Sequence, residues 1–234
     1  KVKVLSFHSK KHPCKIENLP QEYKDETDFE TVFVDLDIKP LPALTAWLTG
    51  ESYHVKRFIN QQMKNKLAEI LKKEEFDIVQ MESIFLTPYV PLVRKLSKAK
   101  VVLRSPNVEN MIWKRTYKAT KNPLKRYYLK HLALTLEYYE KENINQYDAI
   151  FPVTDVDANY FIENGYRKLC KAVAVGIETP EFIPDVLEEE NSIFHIGSMN
   201  WFPNEQGIKW FLESCWKAVK SASPNVKAYF AGRN

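Results

Sequence analysis

Two stretches of this chain combine residue types and spacings that could do chemistry. The later one is Phe194-His-Ile-Gly-Ser-Met-Asn-Trp-Phe-Pro-Asn-Glu-Gln-Gly-Ile208. An apolar strand from Ile193 to Ile196 breaks at Gly197-Ser198, and a loop then carries Met199, Asn200 and Trp201. A helix opens at Pro203 or Asn204. Backbone N–H groups at a helix start lack intrahelical partners, and the dipole there favours an anion. Gly197 would let a ligand approach the backbone closely. Gly197, Ser198, Asn200 and Asn204 are therefore candidates to hold a phosphate or nucleotide. The alternative is an ordinary strand-to-helix turn that binds nothing.

The earlier stretch is Arg104-Ser-Pro-Asn-Val-Glu-Asn-Met-Ile-Trp113, again an apolar strand ending beside a helix start. Arg104 offers a planar fork for carboxylate, phosphate or sugar hydroxyls, while Asn107 and Glu109 add directional hydrogen bonds. Structurally, Asn107 could be only an N-cap and Glu109 a first-turn acid complementing the dipole. Glu82 closes the strand Phe76 to Met81 at the edge where α/β sheets bind ligands, or else caps the helix that follows Pro88. His8 and His12, with Lys10 and Lys11, follow another strand end and fit either a ligand crevice or a solvated loop.

These residues need a scaffold, and the hydrophobic pattern supplies one. Lys1 to Phe7, Glu30 to Val34, Phe76 to Met81, Val101 to Arg104, Asp148 to Val153 and Lys171 to Val175 read as strands. Between them lie a polar loop from His8 to Asp28, a short apolar helical turn from Leu44 to Leu48 and a long helix from Ser52 to Leu71. A short helix covers Pro91 to Leu96, and another runs from about Leu124 to Asn145 on a stripe of Leu129, Leu132, Leu136 and Tyr139. Thr154, with Asp157 three residues on, marks a helix start, and Asn164-Gly165 marks its end. The last unit reads as strand, loop, helix from Gly207 to Ser221 with Ile208, Phe211, Leu212, Cys215 and Val219 inward, then strand Val226 to Ala231. Strands alternating with helices predict an α/β fold: a Rossmann-like, mostly parallel sheet with helices on both faces, followed by the first βαβ unit of a second such domain. The expected divisions are 1–178, a linker at 179–191 and 192–234.

Composition narrows the function classes. At 44% hydrophobic and 27% charged the chain can bury a large core and stay in water. It contains no run of eighteen apolar residues and nothing that reads as a signal peptide. Cys14, Cys170 and Cys215 lack metal-ligand spacing and an even count, which suits reduced thiols in a cytoplasmic protein. A net charge of +4 is too small to argue for nucleic acid, and no nucleic-acid motif accompanies it. Charge is uneven, however. From Asn110 to Leu136 there is no acid, while Lys114, Arg115, Lys118, Lys121, Lys125, Arg126 and Lys130 are interleaved with Tyr117, Tyr127 and Tyr128. That region suits an anionic membrane surface, a phosphorylated acceptor, or simply a solvated face.

The run Gly-Ser-Met-Asn-Trp-Phe-Pro-Asn from Gly197, with Trp210-Phe-Leu212 and Ala231-Gly-Arg-Asn234, resembles the second-domain entry of the GT-B glycosyltransferases of family 4. Arg104 to Trp113 resembles that family's Arg-x-His-Asn-x-Glu segment, and Gly176-Ile-Glu178 its Gly-x-Asp/Glu turn. The resemblance implies a hexosyltransferase-type enzyme of polysaccharide or glycolipid biosynthesis. It would move a sugar from a nucleotide-sugar co-substrate to a hydroxyl acceptor, a glycan or lipid-linked glycan, with retention and with no cofactor or required metal. In that architecture the active site lies between two Rossmann-like domains. Glu82, Arg104, Asn107 and Glu109 would stand on the acceptor side, and Gly197, Ser198, Asn200 and Asn204 on the donor-phosphate side. The implied location is cytoplasmic, with peripheral contact to the inner membrane face left open.

The sequence departs from the family at three places. Pro106 stands where the family has His, so that histidine's role beside the reacting bond does not carry over and no catalytic residue is assigned. Ser198 and Asn204 stand where an Arg and a Lys commonly neutralise the leaving diphosphate. The family's first strand and its paired-glutamate segment have no counterpart, so this stretch is expected to be a piece that is inactive alone. A non-catalytic sugar- or anion-binding module is the competing expectation.

Overall fold

A computed structural model describes residues 2–176, 191–199 and 202–232. The chain falls into two compact units, Lys1–Gly176 and Ile177–Asn234. Both are α/β with parallel strands throughout. The expected linker at 179–191, apart from Asn191, lies outside the described residues, as does the turn beyond Gly176.

In the first unit β1 (Val2–His8) pairs with β2 (Thr27–Phe33), while β3 (Ile78–Met81), β4 (Lys100–Ser105), β5 (Ala149–Pro152) and β6 (Leu169–Cys170) form a second sheet in that order. The helices are α1 (Gln21–Glu26), α2 (Pro40–Thr49), α3 (Tyr53–Lys56), α4 (Gln61–Lys73), α5 (Val90–Leu96), α6 (Glu109–Ala119), α7 (Pro123–Asn143) and α8 (Asp155–Glu163). Both sheets contribute to one core. Val101, Leu103 and Ile150 are fully buried with Val32, and Leu5 and Phe7 of β1 pack against them. A smaller cluster of Ala46, Tyr53, Leu129 and Leu132 joins α2, α3 and α7, with Trp113 and Tyr117 of α6 at its edge.

Three segments depart from expectation. The stretch His8 to Asp28 is not all loop, because it contains α1 and the start of β2. Its acids are compatible with a strand because Lys3 ion-pairs with Asp28 at 2.7 Å and Glu30 at 2.5 Å, and Lys66 also reaches Glu30. The long helix from Ser52 is two helices, broken at Phe58 to Asn60. Asn60 is extended, and its side chain accepts from the Met63 N–H at 3.0 Å, which starts α4 afresh. Tyr89 holds the break: its hydroxyl accepts from the Asn60 N–H and donates to the Phe58 carbonyl. The strand expected at Lys171 to Val175 is only Leu169–Cys170. Lys171 and Val173 still donate to Ile150 and Pro152, but Pro152 has no N–H to extend the ladder.

Elsewhere local signals act as read. Thr154 Oγ1 accepts from the Asp157 N–H and starts α8. Gly165, at φ 99°, closes it with Gly165 and Tyr166 N–H groups returning to Ile162 and Phe161. Among the described residues no helix is long and apolar enough to cross a membrane.

The second unit pairs β7 (Ser192–Ile196) with β8 (Lys227–Ala231) through α9 (Phe202–Trp210), a π turn at Phe211–Cys215 and α10 (Trp216–Ala222). The π turn adds a residue to the helical repeat and rotates α10 relative to α9. Leu212, expected inward, is exposed, while Ile208, Phe211, Cys215 and Val219 are half-buried.

Candidate functional site

In the first unit Glu82 and Arg104 meet at the C-terminal ends of β3 and β4, and Asn107 and Glu109 follow in the turn after β4 and the first residue of α6. Met81 is in register with Leu103, so Glu82 and Arg104 emerge side by side. Arg104 Nη1 donates to Glu82 Oε2 at 2.8 Å, and Gln80 Nε2 donates to the other carboxylate oxygen at 2.5 Å. The two side chains are 38% and 53% exposed, so the pair is screened by water and contributes little to stability. Glu82 does not cap a helix; Ser83 does, accepting from the Phe85 N–H.

The turn after β4 is shaped by Ser105, which is buried and donates its hydroxyl to the Asn107 carbonyl at 2.8 Å. Asn107 itself is exposed and is not the N-cap of α6. Val108 holds that position without a side-chain bond, because its own side chain is buried in the core. Glu109 is the first residue of α6, as a first-turn acid should be. Its carboxyl has no hydrogen-bond or ion-pair partner among the described residues. Burial pushes it up to about 7, so here desolvation outweighs the helix dipole.

Beside Glu109 lies a polar cluster that no sequence pattern announced. Asn110, fully buried, donates Nδ2 to the Glu140 carboxylate and to Tyr160 Oη at 2.8 Å. Its backbone N–H also points at Glu140 Oε1, while its own Oδ1 lacks a partner. Glu140 is 2% exposed, and burial pushes it up to about 7, with the Glu109 charge adding and the Asn110 bonds opposing. One signal was available: Glu140 sits four residues past Leu136 on the core stripe of α7, where a carboxylate does not belong without partners. One turn beyond Glu109, Trp113 lies over the buried His54 with ring centroids 4.0 Å apart. Burial holds His54 well below its usual value, at about 4, with Arg57 nearby adding. Sequence offered no hint of that pair, since a His in an amphipathic segment carries no mark of burial.

At the other strand ends, His8 lies against Phe33 and Lys10 pairs with Asp37 on the surface. Among the described residues no cluster of His, Cys, Asp and Glu could hold a metal ion.

In the second unit Gly197 leaves β7 with its N–H donated to the Ala231 carbonyl at 2.9 Å. Asn204, in the first turns of α9, donates Nδ2 to the Ser198 carbonyl at 2.9 Å. A Cβ on Gly197 would stand 2.9 Å from that amide nitrogen and 3.1 Å from His195 Nε2. A side chain at 197 would therefore have to displace the Asn204 amide or the His195 ring. Gly232 answers it from the end of β8, where a Cβ would run into the Gly197 carbonyl. Gly197, Ser198 and Asn204 therefore form one loop-to-helix turn, and Asn200 lies outside the described residues. No protein-family model matches the chain, and no curated protein matches it.

Proposed function

We propose that this chain belongs to a glycosyltransferase of the GT-B type that moves a sugar from a nucleotide-sugar donor to a hydroxyl acceptor. One observation carries the reading most: a half-buried, unpartnered carboxyl with a proton affinity near neutrality, Glu109, follows the Glu82–Arg104 pair at the C-terminal ends of adjacent parallel strands. Open α/β sheets bind ligands at that edge, and a group that titrates near neutral pH can exchange a proton with a hydroxyl. In this role Glu109 and Asn107 orient the acceptor hydroxyl, and Arg104, already tethered by Glu82, presents its remaining N–H groups. In the second unit, the donor-phosphate role falls to Gly197, Ser198 and Asn204, with Asn204 bonded to the Ser198 carbonyl. The acceptor oxygen bonds the anomeric carbon as the bond to the diphosphate breaks, and the hydroxyl proton leaves with the phosphate or through Glu109. Charge building on the leaving group needs preorganised donors. Backbone N–H groups supply them where Ser198 and Asn204 replace cations.

A second reading, a sugar- or anion-binding module without turnover, is favoured by the same substitutions and by the hydrogen bond that ties Asn204 to Ser198. The two separate in one experiment. The protein, carrying any sequence that flanks this chain, is given a panel of nucleotide sugars with hydroxyl acceptors, and nucleotide diphosphate release is followed. Transfer that falls at least a hundredfold in Glu109→Gln, with thermal stability not reduced, is expected; general acid–base groups contribute roughly 100- to 10,000-fold. Saturable nucleotide binding with no turnover on any donor would establish the module instead.

A further inference from the structure

A different face of the first unit carries an apolar surface that the site does not use. α2 contains no charged residue between Pro40 and Thr49. It buries Ala46 against Leu129 and Leu132 and turns Leu41, Leu44 and Leu48 outward, the last 71% exposed. On α7, Leu124, Tyr127, Leu134 and Tyr138 recur at spacings of three and four and are also exposed, Leu124 at 83%. His131 falls on that same stripe and meets Trp47 of α2 edge to face, centroids 6.2 Å apart. The two apolar stripes are therefore continuous through the Trp47–His131 contact.

After Glu109, the charge along α6 and the first half of α7 has one sign, while Glu51, the acid just past α2, is paired with Lys56. No acid occurs from Asn110 to Leu136. Lys114 is occupied by Glu137, but among the described residues Lys118, Lys121, Lys125, Arg126 and Lys130 form no ion pair. Every residue from Lys121 to Tyr128 is exposed. Two of these cations, Lys125 and Arg126, stand in the first turn of α7, where the dipole is already positive, so they do not serve the helix.

We propose that α2 and the N-terminal half of α7 form a docking surface for an anionic lipid bilayer. Leucines reach the acyl boundary, Trp47 and Tyr127 lie at the headgroup level, and the long lysine and arginine stems carry charge to lipid phosphates. Such a mixture of Leu, Trp and Tyr with the unpaired cations of α7 complements a bilayer surface on both counts, apolar and electrostatic. It stands independently of the glycosyl-transfer reading.

The test is cosedimentation of the purified chain with vesicles of phosphatidylcholine alone or mixed with phosphatidylglycerol. Partitioning is expected to rise with phosphatidylglycerol and to fall as salt screens the cations. Each cation near the surface is worth roughly fivefold, so Lys121→Gln with Lys125→Gln and Arg126→Gln lowers partitioning on the order of a hundredfold. Leu44→Ser with Leu48→Ser lowers it as well, both variants keeping the native circular dichroism spectrum because the positions are exposed. Brominated lipids quench the native fluorescence, and the quenching shrinks in Trp47→Phe while binding persists. Absence of binding to anionic vesicles at low salt overturns the proposal, as does binding indifferent to both variants. A concentration-dependent dimer that the leucine variant dissociates, without vesicle binding, overturns it in favour of self-association.

Discussion

The two ends of the α6–α7 hairpin are built from opposite materials. At its base, where α6 starts and α7 finishes, Glu109, Asn110, Glu137 and Glu140 pack into protein, and two of the carboxyls are pushed up to about 7. At its tip, where α6 finishes and α7 starts, Lys118, Lys121, Lys125 and Arg126 are exposed and form no ion pair among the described residues. α6 runs with its dipole, acid first and Lys118 in the last turn. α7 runs against it at its start, with cations and no acid in the first turn, while its last turn mixes Glu140 with Lys141. Helix electrostatics alone would favour the reverse arrangement at the start of α7 by roughly 0.3–1 kcal/mol for each end charge. The base is arranged around a buried polar network, whereas the tip leaves its cations in solvent, where the proposed bilayer would meet them.

The base should therefore be fragile and the tip tolerant. Asn110→Ala removes the side-chain amide that donates to Glu140 and Tyr160 and leaves the buried carboxyl only backbone N–H groups. The expected cost is about 2–4 kcal/mol, read as a fall in the urea midpoint at constant slope. Lys121→Gln at the tip should change stability by less than about 0.5 kcal/mol. Equal effects at both positions would remove the contrast between the two ends.

Proton linkage sharpens the same contrast. Glu140 is raised from the usual carboxylate value to about 7 in the folded protein. Between about 4.5 and 7 the unfolded chain thus holds fewer protons there than the native one, so the group lowers stability as pH rises, and the loss is complete above 7. Buried His54, held at about 4, acts in the opposite sense: it favours the native state above its unfolded value near 6.5 and weakens it as pH falls. The difference between native protein and Glu140→Gln separates the two. It should be near zero at pH 4.5 and reach about 1–3 kcal/mol in favour of the variant at pH 8, below the ~3 kcal/mol limit set by the shift itself. A flat difference across that range would mean Glu140 is ionised as usual and the base is not a low-dielectric site.

How much of this could be read from sequence depends on which physical effect decides each element. Periodicity and caps located most helices and strands, because Thr154, Gly165 and the apolar runs of β3 to β5 act locally. The break at Asn60 was hidden because it depends on a tyrosine hydroxyl twenty-nine residues away, and the π turn at Phe211 because no residue type marks it. At the site, Glu82, Arg104 and Glu109 were identifiable from their place after apolar strands. Their partners were not, since a parallel register decides that Glu82 meets Arg104 rather than a helix end. Asn107 was read as a hydrogen-bonding site residue with an N-cap as the alternative, and the cap falls instead on Val108, whose side chain is buried. Gly197 was read as room for a ligand, yet its space is taken by Asn204 of the same loop.

The smallest expected effect tests the tip most directly. Asn122 caps α7 through the Lys125 N–H, and Pro123 fills the first helical position, so the helix start is already well made without its cations. Replacing Lys125 and Arg126 by Gln removes two like charges from the positive end of the dipole and relieves their mutual repulsion with Lys121. Thermal denaturation should show a gain of roughly 0.3–1 kcal/mol, small because both side chains are solvated. A gain in stability accompanied by loss of vesicle binding would mean that the cations are held at α7 against the helix's own preference, for a surface beyond the protein. A loss of stability would instead assign them to the fold, and the hairpin's two ends would then differ only in burial.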